Sequence, residues 1–199
     1  MSYDLKLIKE KINKWDYYLN RYNLPSWETL PTIGLYMDQM VTLMNEYLGI
    51  LPIAEGKNNT DVITASTINN YVRLGVMPAP IRKKYMRTHI AYLIIICTLK
   101  LTFSISEIGA LIPADLTEED MQNLYTKYVN IYKEATMGFA ERVMADSKNL
   151  DENNSDNSIT DMIARYAIES TFTKMLFVKM TRLKNVSYEE GSDTMKGKK

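Results

Sequence analysis

Thr64-Ala-Ser-Thr-Ile-Asn-Asn-Tyr-Val-Arg-Leu-Gly75, followed by Val76-Met-Pro-Ala-Pro-Ile-Arg-Lys-Lys-Tyr-Met-Arg87, decides how this chain folds. Thr64 stands where an N-cap belongs, and a short helix is predicted from it to Gly75. Met77-Pro78-Ala79-Pro80 cannot prolong that helix, because each proline lacks an amide donor and disfavours α geometry just before it. Residues 81–87 are then an extended basic strand or an irregular loop. A buried helix is predicted over 88–100; its apolar run is about half of the ~20 residues that a bilayer span needs.

On a wheel of 3.6 residues per turn, Ala65, Ile68, Tyr71 and Val72 of the short helix fall on one side and are predicted to pack inward. Ser66, Asn69, Asn70 and Arg73 fall on the other. Two asparagines beside an arginine are poor choices for a merely solvated helix, where Glu and Lys do better. They suit base edges, since asparagine pairs with adenine and arginine with guanine. The plainer reading is that they are ordinary residues of a short helix end.

Charge separates these readings. The chain balances 24 Lys and Arg against 24 Asp and Glu, yet residues 62–106 contain no acid at all. That stretch carries Arg73, Arg82, Lys83, Lys84, Arg87 and Lys100. Such asymmetry in a neutral protein points to a face that meets a polyanion. Helix, turn, basic hairpin and helix, in that order, is the layout of a winged helix-turn-helix.

Working outward, Leu5, Ile8, Ile12, Trp15 and Leu19 predict a first amphipathic helix over 4–22. Ser26 is placed to cap a short turn, and a second helix is expected from Pro31 to Leu48. A polar connector occupies 51–61. Ser104-Ile-Ser-Glu107 is a capping-box pattern opening a brief helix that ends at Pro113. Thr117 opens a long helix to Asp146, a loop follows to Asn157, and Ser158 is expected to cap a last helix to Leu183. The polar tail, 185–199, is expected to be disordered.

Residues 64–77 resemble the recognition helix and turn of MerR-like transcriptional regulators, with matching positions at Thr64, Thr67, Ile68, Tyr71, Arg73, Gly75, Val76 and Met77. Tyr85, then Leu93, Ile96 and Leu99-Lys100, then Phe103-Ser-Ile-Ser-Glu-Ile108, resemble that family's wing tyrosine, buried helix and following helix. MerR-like helices carry a second arginine and a second aromatic where this chain has Asn69 and Asn70. Leu30-Pro-Thr-Ile-Gly-Leu-Tyr-Met-Asp-Gln-Met40, with 63–71 and Lys83-Lys-Tyr85, also resembles a bacterial family known only as a domain of unknown function, thought to include repressors. The resemblance implies an all-α protein: a helix and turn over 1–29, a MerR-like winged helix-turn-helix over 30–113 and a helical domain over 114–184. It implies a sequence-specific DNA-binding regulator, a repressor, that acts on double-stranded DNA as a homodimer. Ser66, Asn69, Asn70 and Arg73 would contact bases. Thr64, Thr67, Arg82, Lys83, Lys84, Tyr85 and Arg87 would hold phosphates.

The last two helices carry wide apolar stripes: Leu124, Tyr125, Tyr128, Ile131, Tyr132, Ala135 and Phe139, then Ile159, Ile163, Tyr166, Phe172, Leu176 and Met180. A core, a dimer interface, and a pocket for an apolar or aromatic effector are considered for them in that order. Enzyme chemistry finds little support. His89 is the sole histidine and Cys97 the sole cysteine, and neither a phosphate loop nor zinc-ligand spacing is present. No metal or cofactor is expected. The absence of a disulfide pair and of an apolar leader in 1–10 implies a cytoplasmic protein. The rival function is a winged-helix interaction module that docks an acidic protein surface and no longer binds DNA.

Overall fold

The computed structural model describes residues 3–14, 23–49, 63–151 and 154–184. In chain order they form α1 (Leu5–Asn13), a 3-10 turn (Trp27–Thr29), α2 (Met37–Leu48), α3 (Ala65–Arg73), α4 (Arg87–Leu99), α5 (Ile105–Leu111), α6 (Glu118–Lys148) and α7 (Ser155–Arg182). Extended backbone pairs only at two isolated bridges among these residues, Leu35 with Tyr85 and Ile81 with Lys84. The protein is all-α, as its patterning predicts.

The predicted caps account for the starts of α3, α5 and α6. The Thr64 hydroxyl accepts from the Thr67 amide, and the Thr117 hydroxyl from the Asp120 amide. At α5 the bonds are reciprocal: the Glu107 amide donates to Ser104 Oγ, and the Ser104 amide to Glu107 Oε2 at 2.7 Å. Three expectations need correction. The second helix begins at Met37 rather than after Pro31, because Leu35 is held extended by exchanging two backbone hydrogen bonds with Tyr85 (2.9 and 2.8 Å). The long helix runs past Asp146 to Lys148. Asn154, not Ser158, precedes the last helix, and the Ser158 hydroxyl instead donates to the Ser155 carbonyl. The later part of the first predicted helix, the connector over 51–61 and the tail over 185–199 lie outside the described residues.

Helix α4 is the centre of the molecule. Nine consecutive residues, His89 to Cys97, are buried, as expected for a helix that is apolar all round. Around it one apolar cluster joins Leu24, Trp27 and Leu30 to Met40, Met44 and Leu48 of α2, Ile68 and Tyr71 of α3, Ile108 of α5 and Met121 and Tyr125 of α6. Buried phenols are tied off by carbonyls: Tyr92 donates to Pro113 and Tyr125 to Pro25, each at 2.7 Å. Cys97 lies inside this core, where burial pushes its thiol up to about 11. It packs as a small hydrophobe.

The second half of α6 leaves that cluster and buries Ala140, Val143 and Ser147 instead. Helix α7 then comes back past it. Tyr166 packs edge-on against Phe139 and donates to Asp146 Oδ2 at 3.0 Å. Further along, Phe177 stacks on Phe103 at 4.0 Å between centroids, and Lys174 and Lys184 donate to the carbonyls of Thr102 and Ala110 beside α5.

Candidate nucleic-acid interface

Helix α3 presents the polar face that its spacing predicts. Ser66, Asn69 and Arg73 are exposed, Asn70 is half-buried, and Ile68 and Tyr71 face the core. Ala65, expected inward, is exposed; the first turn projects beyond the core, which α3 meets from Ile68 onward. Asn70 Oδ1 accepts from Arg73 Nη2 at 2.6 Å. One turn of helix thus aims the guanidinium. Asn70 is therefore placed to position Arg73 rather than to read a base with a free amide.

Both ends of this helix are fixed. Gly75 has φ +67°, and its amide donates to the Val72 carbonyl while that of Val76 donates to Tyr71. This is a Schellman stop, which favours glycine because no Cβ opposes the left-handed backbone. At the other end Asn45 of α2 makes two bonds to Ile63: its Nδ2 donates to the carbonyl at 3.2 Å and its Oδ1 accepts from the amide at 3.1 Å. That side chain imitates a strand partner and locks α2 to the start of α3. Sequence reasoning missed it, since an asparagine within a helix carries no local signal of a partner 18 residues away. Asn45→Ala is expected to cost about 1–3 kcal/mol, the loss of two part-buried hydrogen bonds. Faster hydrogen exchange across the α3 amides, with α6 unchanged, is the measurement that checks it.

The basic segment forms a two-residue hairpin. Ile81 and Lys84 exchange backbone bonds of 2.9 Å each, and between them Arg82 and Lys83 both adopt positive φ, 50° and 66°. A tight hairpin turn of the I′ kind demands this, and Asn-Gly is the pair that meets the demand without steric cost. Two long cationic side chains there are strained. Strain of this sort gathers at functional sites. Both are exposed, as is Lys84, whose Nζ lies 5.4 Å from the centre of the Tyr36 ring. Tyr36 is itself 51 % exposed, so a phenol stands beside the basic tip.

Other residues expected on phosphate lie elsewhere. Tyr85 is only 2 % exposed and packs edge-on to His89; its ring belongs to the core, which corrects its expected role. Arg87 is half-buried, donating through Nε and Nη2 to the Leu30 carbonyl at 3.2 and 3.0 Å while lying over the Trp27 ring. Its guanidinium anchors the 3-10 turn to α4. Thr64 and Thr67 spend their hydroxyls on each other at 3.0 Å. His89 is buried as the neutral ring: Nδ1 accepts from the Met86 amide at 2.9 Å, and Nε2 donates to the Ala79 carbonyl at 3.1 Å. Burial holds its pKa below the usual histidine value. The ring pins the Pro-rich turn to the start of α4, a structural task.

Six of the predicted site residues stay exposed: Ser66, Asn69 and Arg73 on α3, and Arg82, Lys83 and Lys84 on the hairpin. No group of three or more His, Cys, Asp or Glu is gathered for a metal among the described residues. None of their helices is long and apolar enough to cross a membrane.

The family described as Domain of unknown function (DUF1836) matches residues 25–135, more than half of the chain. The chain belongs to the DUF1836 family. No curated protein and no solved structure matches it. The DUF1836 match spans almost the same residues as the central apolar cluster, which runs from Leu24 to Tyr132. The family is thus a packing unit, and it carries both the α3 face and the basic hairpin.

Proposed function

We propose that this chain is a sequence-specific regulator of transcription, a repressor, that grips duplex DNA through a MerR-like winged helix-turn-helix. The observation that carries this reading is the hairpin tip, where Arg82 and Lys83 hold a strained backbone in a stretch with no acid from 62 to 106. Helix α3 would enter the major groove, with Ser66, Asn69 and Arg73 at base edges and Asn70 aiming Arg73. Arg82, Lys83 and Lys84 would neutralise phosphates, and Tyr36 is added to that set. Tyr85 and Arg87 are withdrawn from it. The protein acts as a homodimer in this reading, and an apolar or aromatic effector would bind among α6 and α7.

Single substitutions test the division of labour. Arg73→Ala is expected to cost about 1–3 kcal/mol of binding and to relax preference at one base position. Asn70→Ala should relax that same position, because it acts through Arg73. Lys84→Ala should instead weaken all sequences alike and flatten the dependence of log affinity on log salt by about one. Binding selections on the three variants check this. Equal loss at every sequence for Arg73→Ala would reverse the assignment.

The interaction-module reading is favoured by Ile33 and Ile81, which are 71 % and 63 % exposed. Ile81 flanks the tip, and Ile33 lies two residues before Leu35, which pairs with Tyr85. Such a module would dock an acidic protein and retain little duplex DNA even at low salt.

A further inference from the structure

Helix α7 is amphipathic twice over. Tyr166, Lys174, Phe177 and Lys184 tie one side to α6 and α5. On the opposite side Ile168, Phe172, Met175, Leu176, Met180 and Leu183 recur at helical spacing and are 49–62 % exposed. The plain core reading of that stripe is thereby corrected: Ile159 is buried and Tyr166 packs on Phe139, but Ile163, Phe172, Leu176 and Met180 face outward. A space of about 890 Å³ lies along this flank, lined by residues of α7 and by its C-cap Leu183. Among the described residues it has one wall and no opposite one.

We infer that a second copy of this chain supplies the opposite wall, through an antiparallel pairing of α7 with the partner's α7 about a two-fold axis near position 174. Area is the first argument. Six side chains at this exposure present roughly 600 Å², the upper end for the largest apolar patch on a monomer and most of the ~800 Å² per partner in a standard interface. Register is the second. An antiparallel axis at 174 sets Phe172 against the partner's Leu176, twice by symmetry, so the centre of the stripe is complementary to itself. Charge is the third. The same axis brings exposed Glu169 beside the partner's exposed Lys179, twice by symmetry, whereas a parallel pairing would oppose like charges. The helix dipoles also oppose favourably in this arrangement.

This deepens the DNA-binding reading by naming the interface of its dimer, and it is tested without DNA. The full chain is expected to sediment as a dimer at micromolar concentration. Phe172→Asp with Leu176→Asp should raise the dissociation constant about a hundredfold or more, with helical circular dichroism unchanged because both residues are already exposed. Glu169→Lys should weaken the dimer about five- to tenfold, and Glu169→Lys with Lys179→Glu should restore it. A monomeric wild type would overturn the pairing, as would a dimer indifferent to Phe172 and Leu176. Loss of helix in the double aspartate variant with a monomeric wild type would mean that this chain covers the face itself, and overturns it too. A dimer weakened by the aspartates yet unmoved by Glu169→Lys overturns the register. Duplex retention is read separately: a monomer that retains DNA sinks the pairing alone, and a dimer that retains none sinks only the DNA reading.

Discussion

Replacing Arg82 by Asn and Lys83 by Gly is expected to make the protein more stable and worse at binding DNA. Both residues hold positive φ, a conformation that costs about 1–2 kcal/mol per residue for ordinary side chains and that Asn-Gly adopts readily. Part of that cost is recovered in the variant, and about 1–2 kcal/mol corresponds to a rise of roughly 3–6 °C in melting temperature for a chain of this size. In the proposed DNA complex, removing two cations from the tip should lower the salt slope by about two and the affinity about tenfold. Opposite signs are the point. A turn that is merely structural gains stability and leaves duplex retention unchanged, and that outcome would remove the hairpin from the interface. Arg82→Lys, which keeps the charge, is expected to leave retention near that of the wild type.

Arg87→Ala is expected to be the costliest single change in the basic stretch, and the cost falls on folding. The guanidinium makes two hydrogen bonds to the Leu30 carbonyl and lies 5.3 Å from the centre of the Trp27 ring. Losing a charged donor pair to a half-buried carbonyl, together with a cation–π contact, amounts to about 2–4 kcal/mol. Arg87→Lys should recover little, since an ammonium cannot form the planar fork. Denaturant midpoints for the two variants check this, and an unchanged slope would show that the unfolded state is unaffected. If Arg87→Ala left the midpoint unmoved and weakened DNA binding instead, the residue would belong to the phosphate set after all.

Much of the architecture was legible because it is written locally. Thr64, Ser104 and Thr117 cap their helices through residues three positions away, and Gly75 stops α3 through bonds within a single turn. The unbroken apolar run 90–97 announced a central helix. The corrections at Leu35, Tyr85 and Arg87 share one cause: contacts between distant segments. Nothing near Leu35 reveals that it pairs with Tyr85, and nothing near Arg87 names the Leu30 carbonyl as its acceptor. A basic residue after a basic turn reads as part of the turn until its partner is seen.

The candidate site divides the same way. The exposed face of α3 follows from helical spacing alone, and the structure keeps Ser66, Asn69 and Arg73 on it. The bond from Arg73 to Asn70 and the clamp from Asn45 to Ile63 depend on rotamers and on tertiary approach, which spacing does not encode. On α7 the apolar stripe was plain in the sequence. Its direction was not, because a stripe that faces a core and one that faces another chain have the same period.

The most direct test of the account is retention of random genomic duplexes by the full chain at low and at near-physiological salt, with sequencing of what is bound. The account predicts recovery of a discrete inverted repeat, and a log affinity that falls with log salt at a slope of about −3 to −4 for the cations of α3 and the hairpin. Retention of nothing at either salt would contradict it, and would leave the basic face to an acidic protein partner.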